Sequence, residues 1–108
     1  MKLIDLIEYL INPEKLETLY KSENLNMDSD ALLIYMENSL NLNSNLKFFE
    51  IEETEDNLIF EKYNIKYIQF FPFDYAVELI ENDLDLKNKG LGNIIIAKRL
   101  LEYRLRDA

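Results

Sequence analysis

Apolar residues recur with a helical period over residues 2–11, where Leu3, Ile4, Leu6, Ile7, Leu10 and Ile11 stand opposite Asp5 and Glu8. Asn12-Pro13 breaks this run, and Pro13 at a first helical position predicts a short helix over 14–21. Asp28 or Ser29 offers a cap for a third helix over roughly 30–40. From Leu46 the period falls to two. LKFFEIE (46–52), NLIFEKY (57–63) and IKYIQFF (65–71) are rich in aromatic and β-branched residues and bounded by turn formers, which predicts three strands. Tyr63-Asn64 is short enough for a tight hairpin.

Pro72 ends the third strand, and Phe73, Ala76, Val77, Ile80 and Leu84 then form one stripe of a helix over 73–84. Gly90 and Gly92 close the next connection, Asn93 is a cap, and 94–106 form the last helix. The order ααα-βββ-αα predicts an α+β single domain over 1–108, a three-stranded antiparallel meander packed with about five helices. Apolar residues on both faces of the strands imply a sheet covered largely by helices.

Composition changes this picture little. An apolar share of 48% with 31% charged residues describes a globular chain, not a disordered one. The start MKLIDLIEYLI resembles a leader only superficially, because Asp5 and Glu8 interrupt it and no small-residue cleavage site follows. The longest apolar run, Ala31–Met36, is far shorter than the ~20 residues of a membrane span. A cytoplasmic protein without membrane contact is expected. Its wealth of Asn, Ile, Lys, Tyr and Phe suits an AT-rich bacterial genome.

Charge changes it more. The net charge is −9; residues 1–86 carry 19 acids and 6 bases, net −13, whereas residues 87–108 carry 6 bases and 2 acids, net +4. A field of this sign opposes direct nucleic-acid binding and favours basic proteins. Two surfaces concentrate the acids: the stretch Glu50, Glu52, Glu53, Glu55, Asp56 across the first inter-strand turn, and the helix stripe Asp74, Glu78, Glu81 at i, i+4 and i+7. Solvation alone is the usual fate of such runs. The functional reading is that both meet cations on a partner.

Candidate chemistry is sparse. With no cysteine and no histidine, thiolate and imidazole nucleophiles, bases and metal ligands are all missing. Neither glycine lies in a phosphate-cradling motif. Asp28-Ser29-Asp30 and Asp83-Leu84-Asp85 have a DxD spacing, but the second has Asn88 where a calcium loop has glycine. No catalytic residue, metal or cofactor is therefore expected.

The aromatic run Phe70-Phe71-Pro72-Phe73 with Tyr75 reads as core, with a ligand pocket as the sharper alternative. Gln69 reads as a solvated or satisfied amide. On the last helix Ile94, Ile96, Ala97, Leu100, Leu101, Tyr103 and Leu105 face inward, and Ile95 stands among outward cations. Arg104 falls on the inward arc, where fraying or pairing with a carboxylate would account for it.

These residues point to a small acidic protein-binding module that occupies a basic partner protein such as a toxin or nuclease. An immunity protein or antitoxin works in this way, in some cases by mimicking nucleic acid. The alternative is a structural or adaptor domain, homodimeric through an apolar patch.

Overall fold

The structure is a computed structural model that describes residues 1–26, 31–84, 86 and 90–107, without the side chains of Asp83 and Asp107. The chain begins with α1 (Leu3–Ile11). A 3₁₀ turn over Pro13–Lys15 then leads into α2 (Leu16–Ser22). Pro13 opens that turn because its missing N–H would be unpaired there in any case.

Next comes β1 (Leu32–Glu37), not the third helix expected over 30–40. Leu32, Leu33, Ile34, Tyr35 and Met36 are all buried. A short run buried on both faces carries no periodicity, so helix and strand look alike in it. The capping residues proposed for that helix, Asp28 and Ser29, lie outside the described residues, as do Asp30, Asp85 and Asn88.

The strand β2 (Leu46–Glu50) gives way to a one-turn helix α3 (Ile51–Thr54), so the strand expected over 46–52 stops two residues early. A hairpin of β3 (Ile59–Lys62) and β4 (Ile65–Pro72) follows. Tyr63 and Asn64 both take positive φ, 54° and 64°. A two-residue turn of that geometry matches the twist of its strands. The sheet is antiparallel with four strands in the order β2-β1-β4-β3. The predicted three-stranded meander is thus corrected: β2 and β3, taken as neighbours, occupy opposite edges.

Those edges nevertheless touch. Across three strand spacings, about 14 Å in a flat sheet, the Phe49 ring of β2 meets the Phe60 ring of β3 at 5.1 Å. The sheet is therefore strongly curled. Its inner face encloses Leu33, Tyr35, Phe49 and Tyr67, with Ile51, Phe60 and Ile65 against them. A β-bulge sharpens the curl. Ile34 opposes Phe71 and Tyr35 opposes Gln69, so Phe70 is the extra residue on β4. Phe70 and Phe71 consequently join the same core, their rings 4.5 Å apart.

The outer face carries the larger core. Leu32, Ile34, Met36, Leu46 and Phe48 pack against Leu3, Leu6, Ile7 and Leu10 of α1 and against the helices that follow β4. Phe73 and Ala76 of α4 (Phe73–Glu78) enter this core, and α4 widens into a π-helical turn over Leu79–Asp83. The single helix expected over 73–84 is thus two segments.

The last helix is α5 (Asn93–Asp107). It buries Ile96, Ala97 and Leu100, while Ile94 and Leu105, expected inward, are exposed beside Ile95. Arg104 pairs with backbone instead of a carboxylate. Its Nε donates to Gln69 O (3.2 Å) and Phe70 O (3.1 Å), and its Nη2 donates to Gln69 O (3.0 Å). The cation on the inward arc is thus accounted for by two carbonyls of β4 beside the bulge.

Candidate functional site

The acidic stretch is a folded crossover rather than a loose turn. α3 leaves β2 at one edge of the sheet, and the chain returns at the opposite edge in β3. Ile51 packs inside the curl, and Thr54 is buried. Glu55 and Asp56 take left-handed conformations (φ 55° and 59°) that end α3, with the Glu55 N–H donating to Ile51 O at 2.8 Å. Neither is glycine, so tertiary contacts must hold them there. Three hydrogen bonds tie this corner to the sheet. Gln69 Nε2 donates to Asp56 Oδ1 (3.0 Å) and to Tyr35 Oη (3.2 Å), and Tyr35 Oη donates to Asn57 O (2.6 Å). Gln69 is thus a satisfied core amide.

The five acids of the stretch therefore differ in their roles. Asp56 latches the crossover to β4. Glu53 pairs with Lys62 of β3, whose Nζ also stands 5.7 Å from the centre of the Phe49 ring. The Glu53 carboxylate, by hydrogen bond and charge, holds the Lys62 ammonium above its ordinary pKa. Glu52 and Glu55 are exposed, and Glu50 is half-buried at the end of β2.

The helix stripe begins at the same end of the sheet. β2 and β4 both run antiparallel to β1, and Glu50 and Pro72 oppose the adjacent residues Leu32 and Leu33. Asp74 then sits in the first turn of α4, exposed and close enough to Tyr20 for its charge to act there. Burial first, and the Asp74 carboxylate second, raise the Tyr20 phenol above its usual value. Glu78 is exposed, but Glu81 falls in the π-helical turn and is half-buried. The stripe thus loses its third member from the open face. α3 turns under the inner face and α4 over the outer one, so Asp74 and the crossover share an end of the sheet and diverge from it.

A cleft opens beside this end that the sequence does not disclose. Its volume is about 280 Å³, and Glu23, Lys47, Glu50, Glu53 and Lys62 line it together with Asn24 and Asn26. Glu23, just after α2, brings a third carboxylate opposite Glu50 and Glu53. No periodicity marks Glu23, and only the tertiary fold sets it against β2. The cleft can accept a lysine or arginine side chain between carboxylates, with Phe48 and Phe49 lining its apolar part. Among the described residues no group of three or more carboxylates is arranged to hold a metal ion, and no helix is long and apolar enough to cross a membrane. Compared with known protein families, curated proteins and solved structures, the chain matches none of them.

Proposed function

We propose that this chain is a small acidic protein-binding module that occupies a basic partner protein. It would act as an immunity protein or antitoxin does on a toxin or nuclease, its carboxylates standing where nucleic-acid phosphates would. Such a task asks for shape and opposite charge and for no catalytic group. The observation that carries this reading is the cleft lined by Glu23, Glu50 and Glu53, with exposed Glu52 and Glu55 on the adjoining crossover and Asp74 at the same end of the sheet. Cations near it are outnumbered: Lys62 is engaged by Glu53, and Lys47 is the other basic residue in the lining. A cytoplasmic partner of a bacterial host belongs to this proposal. A structural or adaptor role with self-association is the second reading, favoured by exposed Leu58, Ile59 and Leu105.

The test compares wild type with a variant carrying Glu23→Gln, Glu50→Gln, Glu52→Gln, Glu55→Gln and Asp74→Asn, which spares Glu53 and Asp56 because they tie the crossover. Each protein is immobilised, exposed to lysate of the source cell and washed at rising salt. One stoichiometric basic protein, released by salt and held at least about tenfold less well by the variant, supports the reading. Equal capture by both proteins rejects it.

A further inference from the structure

A second concavity, unlike the acidic cleft, lies where β4 runs on past the end of β3. Past the Ile59–Ile68 pair, the Gln69 N–H donates to Leu58 O at 2.8 Å. Beyond it a groove of about 340 Å³ opens, lined by Leu58, Phe71, Pro72, Tyr75, Tyr103 and Arg104, with Gln69 and Phe70 at its base. This volume falls at the lower end for small-molecule sites.

The walls of this groove are aromatic. Tyr75 packs edge-on to Phe71 with ring centres 5.4 Å apart, and the Tyr75 and Tyr103 hydroxyls are 3.3 Å apart. Arg104 supplies a cation, half-buried and fixed by its bonds to Gln69 O and Phe70 O. Those bonds use Nε and one Nη2 hydrogen, leaving the Nη1 amino group to donate. Among the described residues, the ion pairs that form involve other cations than Arg104.

We propose that this groove binds a small, flat, apolar monocarboxylate of the arylacetate kind, its ring against Phe71, Tyr75 and Leu58 and its carboxylate on Arg104. An added peptide strand is a poor occupant. Arg104 already takes the edge carbonyls of Gln69 and Phe70, and Pro72 has no N–H to offer. A neutral apolar guest would leave the guanidinium without its best acceptor.

The test is a titration with phenylacetate and, separately, phenylacetamide, followed by ¹H–¹⁵N correlation NMR that includes the Arg104 side-chain Nε–H. Phenylacetate should give saturable shifts at Leu58, Phe71, Tyr75, Tyr103 and Arg104 Nε, with an apparent Kd at least about tenfold below that of the amide. Leu58→Glu, at an exposed position, should leave the rest of the spectrum in place and abolish the shifts. Equal binding of acid and amide overturns the proposal, as does the absence of saturation with phenylacetate. Shifts of the same amides with protein concentration alone would give the groove to a second copy and overturn it too.

Discussion

Replacing Arg104 by methionine should destabilise the fold through the bulge rather than through any ion pair. Three hydrogen bonds of 3.0–3.2 Å run from its guanidinium to two carbonyls of β4, those of Gln69 and Phe70. A charged hydrogen bond contributes about 1.5–3 kcal/mol. The groove is open enough for water to rehydrate the carbonyls, so the expected total is nearer the cost of one such bond than of three, about 2–3 kcal/mol. At a urea m-value of roughly 1.5 kcal/mol/M, the unfolding midpoint falls by about 1.3–2 M with unchanged slope. Arg106→Met is the internal control. Its partner Glu102 lies 3.8 Å away and both side chains are well exposed, so a change within about 0.5 kcal/mol is expected. Equal midpoints for the two variants would refute the view that Arg104 anchors α5 on the bulge.

Thr54 carries a buried Oγ1 without a hydrogen-bond partner among the described residues, so Thr54→Val should stabilise the fold by about 1 kcal/mol in urea unfolding, a loss of that size counting against its isolation. Phe49→Ala removes the ring that meets Tyr35, Phe60 and Tyr67 and should cost about 3–5 kcal/mol, whereas a cost below about 1 kcal/mol would mean that the curl does not depend on it. Burial raises the phenols of Tyr20 and Tyr67 above the ordinary value of 10.0. The unfolded chain therefore loses these protons first, and the stabilisation is complete below pH 10 and declines as pH rises through the folded values. Tyr67→Phe should lessen the decline in denaturation followed above pH 10, and an unchanged decline would exclude Tyr67 as a source.

The helices α1, α2 and α5 and the β3–β4 hairpin are legible because their signals are local: a helical stripe in α1, Pro13 ahead of α2, and Tyr63-Asn64 between two alternating segments, whereas α3 reads as the end of a strand. Nor is β1 legible. Its five buried residues face two cores at once, and that makes a central strand look like an apolar helix. Placing β1 as a helix then forced β2 and β3 together, because nothing in the crossover states that two other strands lie between them. The same blindness affects the candidate surface. Charge density marked Glu50 to Asp56, but only folding assigns Glu53 to Lys62 and Asp56 to Gln69, and only folding brings Glu23 across to Glu50. Arg104 falls on the inward arc, yet its acceptors, Gln69 O and Phe70 O, lie at a bulge that no residue type announces.

The most direct measurement of charge-driven capture is the association rate of the captured basic protein, taken by stopped flow from about 50 to 500 mM salt. Wild type should associate at least about tenfold more slowly at the upper salt, and the five-site amide variant should start slow and change little. Rates that ignore salt and are the same for both proteins would contradict capture by the acidic cleft.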